Sequence, residues 1–180
     1  SLFTICVRRS EDNYIAQDTF NWSLDLVKVA EAVINKLDKN KSGSAFLLKY
    51  AQLRKILSSV VAIKNKLSVA QRRSKAFDKL PDDIAMDVRF LKTTLLYQAG
   101  RIEESVGRGK KVYPVKQLID ISKLLNMIED IGTDVKRFDL LCKYVEALVA
   151  FYKYRSVELS QSPETTFNTN QNNRPSVGNR

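Results

Sequence analysis

Histidine is absent from this chain of 180 residues. That removes Ser-His-Asp and Cys-His catalysis, histidine-containing zinc sites and most ribonuclease general-base schemes. The Arg-x-x-x-x-His signature of one helical ribonuclease class cannot be written here. Carboxylate-only metal chemistry survives the exclusion, but no clustered pattern of Asp and Glu argues for it. Cysteine occurs only as Cys6 and Cys142. A disulfide between them is open, but small disulfide scaffolds are far richer in cysteine, and a reducing cytoplasm is the simpler reading. Glycine and proline number 6 and 4, too few for the tight turns of a sandwich or barrel. No apolar run reaches the roughly 18 residues of a membrane-spanning helix. The opening Ser1–Val7 is mildly apolar, but it is too short for a secretory signal and has no basic residue ahead of it.

What remains reads as helix. Leu26, Ala30, Val33 and Leu37 recur at spacings of three and four, on a helix beginning near Trp22. It ends at the turn cluster Lys39-Asn40-Lys41-Ser42-Gly43-Ser44. A second helix is expected from about Phe46 to Lys66, with Leu53, Ile56, Leu57, Val60 and Ile63 as its apolar side. Pro81 suits the first turn of a third, which carries Ile84, Val88, Leu91 and Leu95 and is closed by Gly100. Residues 101–113 read as a loop. Pro114 opens a fourth helix, with Leu118, Ile121, Leu125 and Ile128, which Gly132 breaks. Thr133 caps the fifth, with Phe138, Leu141, Val145, Leu148 and Tyr152. The fold class is therefore all-α, a compact five-helix bundle over 22–157 with an N-terminal extension, 1–21. From about Ser160 onward the chain is mostly Ser, Thr, Asn, Gln, Pro and Arg, and the tail, 158–180, is predicted to be disordered.

The net charge is +10, and it is concentrated. Between Lys39 and Lys79 lie Lys39, Lys41, Lys49, Arg54, Lys55, Lys64, Lys66, Arg72, Arg73, Lys75 and Lys79, with Asp78 the one acid. The rest of the chain balances to zero. A few lysines would read as a solvated face. Eleven against one repel each other unless an anion is nearby, and a nucleic-acid backbone is the favoured partner. Arg108, Lys110 and Lys111 form a smaller cluster on the 101–113 loop. Gly107-x-Gly109 is no phosphate fingerprint, since no strand precedes it and the full glycine pattern is missing. Tyr144, Phe151, Tyr152 and Tyr154 crowd the last helix, where stacking on bases is conceivable but a core role is favoured; Cys142 reads as a small buried hydrophobe.

Three blocks then carry a family likeness: Gln52-Leu53-Arg54-Lys55-Ile56-Leu57-Ser58; Phe90-Leu91-Lys92 with Tyr97-Gln98-Ala99-Gly100-Arg101; and Cys142 through Lys153, CKYVEALVAFYK. Val115-Lys116-Gln117-Leu118-Ile119 is a weaker fourth. In this order, over about residues 25–155, they resemble the small subunit of type III-A CRISPR effector complexes, the Csm family. The resemblance implies a non-enzymatic subunit with no cofactor and no metal, serving antiviral defence in the cytoplasm. It implies stacking of several copies, contact with guide RNA and target RNA, and partnership with the CRISPR backbone subunits and the large subunit. It carries an RNA role onto Arg54, Lys92, Arg101, Lys143 and Lys153, with Lys92 and Lys143 where arginine is usual. The charged stretch adds Lys49, Lys55 and Lys64 as nucleic-acid-binding candidates. The family's Thr-Thr-Ser at the opening of the second helix is Lys49-Tyr50-Ala51 here, and the 102–113 loop is longer than the pattern. Two rival readings remain: a basic helical protein-interaction scaffold without direct RNA contact, and a membrane-surface protein. The second needs a free apolar face beside the charge, whereas the helices spend their apolar faces on one another.

Overall fold

A computed structural model describes residues 20–73, 78–106 and 109–161. Six helices occur among them: α1 Leu26–Asn35, α2 Tyr50–Arg73, α3 Asp82–Arg101, α4 Pro114–Ser122, α5 Leu124–Ile131 and α6 Val135–Gln161. Between α3 and α4 a short hairpin pairs β1 Glu104–Ser105 with β2 Lys111–Val112, antiparallel, Glu104 opposite Val112. The all-α expectation therefore stands, but the five-helix count is corrected to six and the expected loop holds a hairpin.

The first helix starts later than expected because the residues ahead of it form a side-chain turn. The Asn21 carboxamide oxygen accepts from the Ser23 N–H and hydroxyl, and Asp25 then caps α1 by accepting from the N–H groups of Val27 and Lys28. After α1, Lys39 and Phe46 pair across a tight loop. Its turn needs Gly43 at φ +72°, a left-handed conformation that glycine reaches without Cβ strain. The second helix begins at Tyr50 rather than Phe46 and runs on to Arg73. Gln52 replaces the missing hydroxyl cap: its side-chain oxygen reaches back to accept from the Lys49 N–H at 2.8 Å, half of a capping box. Asp82 and Asp83 fill the first turn of α3 and complement its dipole.

The expected fourth helix is two. Lys123 takes φ +57° and ψ +26°, breaking it between Ser122 and Leu124. The Ser122 carbonyl, at the break, accepts from the buried Tyr144 hydroxyl of α6 at 3.0 Å. Tertiary contact makes the break affordable, so the local apolar spacing ran straight through it.

The long helix α6 is the axis of the core. It packs on α1, α2 and α5, while α3 packs on α2, α4 and α5. Leu53, Ile56 and Val60 of α2, Val88, Leu91 and Leu95 of α3, and Phe138, Leu141, Val145 and Leu148 of α6 are all buried in one cluster. Full burial of such a side chain contributes about 1.5–3 kcal/mol. Tyr144 and Tyr152 are buried as the sequence suggested, whereas Tyr154 is exposed. Tyr152 donates to the Leu48 carbonyl and so ties the end of α6 to the entry of α2. The first residues of the expected tail, 158–161, belong to α6; the remainder, like residues 1–19 of the extension, lies outside the described residues.

Candidate nucleic-acid interface

The charged stretch 39–79 is built mainly on α2, and α2 has one buried side. Leu53, Ile56, Val60, Ile63 and Leu67 point into the core. Helical geometry then sends Arg54 and Lys55 outward, together with Arg72 and Arg73 five turns further on. Arg54 lines up with Arg72 and Lys55 with Arg73, about 27 Å apart along the axis. All four are exposed, and none has a carboxylate partner among the described residues.

The neighbouring lysines behave differently. Lys64 turns to α6 and pairs with Glu146 at 3.1 Å. Lys66 turns the other way, to Asp83 at 2.9 Å and Asp87 at 2.8 Å on α3. Hydrogen bonds to these carboxylates raise both ammonium pKa values, and Lys66 in turn lowers that of Asp83. The two lysines stitch α2 to its neighbours on opposite sides.

These contacts also fix direction. Lys66 meets the start of α3, while Lys49, just ahead of α2, meets Glu104 beyond its end at 2.6 Å. Helix α3 therefore runs antiparallel to α2, bringing Arg101 to the N-terminal end of α2. Helix α6 is antiparallel as well: Lys153 lies over the Tyr50 ring, 5.3 Å from its centroid. One end of α2 thus gathers Lys49, Arg54, Lys55, Arg101 and Lys153, five of the eight residues expected to bind nucleic acid.

The other three are placed elsewhere. Lys64 sits midway along the α2–α6 seam. Lys143 pairs with Asp139 one turn back on α6 at 2.7 Å. Lys92 is directed to Glu129 on α5, away from α2. Across the eight, Lys49, Lys64, Lys92 and Lys143 have carboxylate partners, and Arg101 and Lys153 lie over aromatic rings, Arg101 over Tyr97 at 5.4 Å. Only Arg54 and Lys55 present bare charge. Arg72 and Arg73 were counted in the basic stretch without being singled out; the signal that finds them is their eighteen-residue offset from Arg54 and Lys55.

Among the described residues no catalytic constellation competes with this surface. Burial pushes the Cys142 thiol up to about 12, which keeps it protonated and unreactive. Among the described residues no group of three or more Cys, Asp or Glu is arranged to hold a metal, and no helix is long and apolar enough to cross a membrane.

Comparison with known proteins agrees with the blocks read from the sequence. The family model described as Csm2 Type III-A matches residues 23–158. The CRISPR system Cms protein Csm2 of Streptococcus thermophilus is 30% identical over 128 residues, 71% of this chain and 88% of that protein. The protein of the same name from Mycobacterium tuberculosis is 33% identical over 130 residues, 72% of this chain and 90% of that one. A family match over residues 23–158, which span the whole bundle, leaves one assignment: the chain belongs to the Csm2 family of type III-A CRISPR systems, as a structural, non-catalytic small subunit of the Csm complex that partners other components of that complex.

Proposed function

We propose that this small subunit holds the RNA backbone within the Csm complex through the solvent face of α2. The observation that carries the reading is the line of Arg54, Lys55, Arg72 and Arg73, four cations on one rigid helix without carboxylate partners among the described residues. Arginine and lysine so placed attract phosphates at long range and bind them without reading sequence. Recognition is then left to pairing between guide RNA and target RNA, in antiviral defence. Arg101 and Lys153 extend the track at one end of α2. Lys49, Lys64, Lys92 and Lys143 reach a phosphate only by giving up a carboxylate, so each contributes less. Several copies stacked beside the backbone subunits and the large subunit would join these tracks into a longer one.

The test is RNA affinity against salt. Affinity for single-stranded RNA falls with a log–log slope of about −0.7 per phosphate engaged. Charge reversal at Arg54 and Lys55 lowers affinity for all sequences alike. Binding indifferent to salt and to that reversal, both in the isolated chain and in the assembled complex, favours the scaffold reading, in which the basic face meets an acidic protein.

A further inference from the structure

Two hollows flank α2, and they differ in chemistry. A groove of about 350 Å³ between α2 and α3 is lined mainly by Ala62, Ile63, Phe90 and Leu91, with the Lys66–Asp87 pair at one end. The other hollow, a cleft of about 420 Å³, lies ahead of α2, between the turn that follows α1 and the β1–β2 hairpin. Asn40, Lys41, Ser42 and Leu47 form its wall on the turn, Ser105 and Val106 its wall on the hairpin. Its volume is within the roughly 300–1,000 Å³ of small-ligand sites and admits one nucleotide unit.

Both walls are held by hydrogen bonds of their own. The Asn40 carboxamide oxygen accepts from the Ala45 N–H at 3.2 Å and from the Ser42 hydroxyl at 3.1 Å, and the Ser42 and Ser44 hydroxyls meet at 2.7 Å. Lys41 is carried on this fixed turn. On the hairpin, Val106 donates its N–H to the Lys110 carbonyl at 3.0 Å, which sets Lys110 opposite Val106. None of the carboxylates of the turn or the hairpin lines the cleft. Glu103 is paired with Lys111 at 2.9 Å, Glu104 with Lys49 at 2.6 Å, and Asp38 lines a separate hollow against Val112 and Pro114. Lys41 and Lys110 are exposed and have no carboxylate partner among the described residues; Arg108, the third cation of that loop's basic cluster, lies outside them. The Lys49–Glu104 pair also holds the hairpin against the start of α2. The cleft therefore adjoins the end of the helix where Arg54, Lys55, Arg101 and Lys153 gather.

We infer that the cleft is a further RNA subsite. One nucleotide of the strand leaving α2 settles in it, with its phosphate toward Lys41 and Lys110 and its sugar and base edge against Leu47 and Val106. The inference rests on the RNA reading of α2 and extends that track past the helix by one backbone phosphate. Free cations draw in the phosphate. Two half-buried aliphatic side chains, with the Ser42 and Ser105 hydroxyls beside them, suit a nucleoside that is apolar on its faces and bears a 2′-hydroxyl. The groove between α2 and α3 offers no such attraction, since its one lysine is held by Asp83 and Asp87.

Filter binding of single-stranded oligouridylate to the full chain, repeated in the assembled complex, tests the subsite. Lys41→Gln with Lys110→Gln should weaken binding severalfold and make the log–log salt slope shallower by about 0.7, the share of one phosphate. Arg89→Gln, which removes an exposed cation of α3, should change neither. p-Benzoylphenylalanine in place of Ser105 should crosslink to the RNA, and the same group in place of Arg89 should not. Arg54→Gln with Lys55→Gln, measured in parallel, reads the α2 track alone. If that pair weakens binding while the cleft pair behaves as Arg89→Gln does, the subsite is overturned and the α2 reading stands. If only the cleft pair weakens binding, the cleft stands as an RNA site and the α2 track falls; if neither does, both fall. Uridine monophosphate should leave the RNA bound. Competition by it that depends on Lys41 would make the cleft a site for free nucleotides and overturn its place on the RNA track.

Discussion

The outer faces of α2 and α3 lie side by side on one antiparallel pair of helices and differ in kind. Helix α2 turns outward Arg54, Lys55, Arg72 and Arg73, with Ser58, Ala62 and Asn65 between them. Helix α3 turns outward Met86, Phe90 and Tyr97. The inner faces of both are alike, rows of Leu, Ile and Val in a shared core. Packing therefore fixes the inner faces and leaves the outer ones to be set by what each helix meets. A row of free cations costs self-repulsion, and a row of exposed aromatics costs hydration.

The sharpest way to break the comparison is to substitute neighbours on α3. Leu91→Ala opens a cavity in the core and should cost about 2–5 kcal/mol in denaturant unfolding. Phe90→Ser, one residue away but outside, should stay within about 0.5 kcal/mol. Equal costs would mean that α3 has no free face. Next in size is RNA binding. With four phosphates engaged, affinity should fall about fiftyfold between 50 and 200 mM salt, and replacing Arg54, Lys55, Arg72 and Arg73 by glutamine should flatten most of that dependence. Phe90→Ser, on the apolar face, should leave RNA affinity unchanged. A loss of RNA binding from the α3 change would erase the distinction between the faces. Smaller still is the difference between free and paired cations. Lys92→Gln or Lys143→Gln should weaken RNA binding by no more than about twofold, since exposed ion pairs are worth only fractions of a kcal/mol and their loss removes little free charge. Filter binding of the single variants against Arg54→Gln checks the ranking.

The sequence made the two inner faces legible because burial repeats with the helical period. Leu53, Ile56, Val60 and Ile63 could be assigned to the core of α2 from spacing alone, as could Val88, Leu91 and Leu95 for α3. The break at Lys123 was not legible: apolar spacing continues through it, and the hydroxyl that bonds the Ser122 carbonyl comes from Tyr144, twenty-two residues on. The charge excess of 39–79 was visible, but its division was not. Whether a lysine stands free depends on acids in other helices: Glu146 for Lys64, Asp83 and Asp87 for Lys66, Glu129 for Lys92. The apolar stripe of α3 was likewise hidden, because Phe90 and Tyr97 look like any helix hydrophobes until the neighbouring helices are placed.

The least of the expected effects lies on the seam between the two faces, at Lys66. Its ammonium sits between Asp83 and Asp87, and the pair separates the basic side from the apolar one. Asp83 is held below its usual carboxylate value by Lys66, so its share of stability is complete above the unfolded value of about 3.9 and is lost as pH falls through the lower folded value. Lys66 is held above its usual value by Asp87 and Asp83, so its share is complete below about 10.4 and is lost as pH rises through the higher folded value. Lys66→Gln should therefore lower the unfolding midpoint slightly across the neutral range. The gap between variant and parent should close at both the acid and the alkaline end. Both groups are open to solvent, so added salt should narrow the gap as well. A midpoint difference that persists unchanged in acid would assign the effect to packing of the lysine stem in the groove rather than to charge, and the seam would then belong to the apolar face.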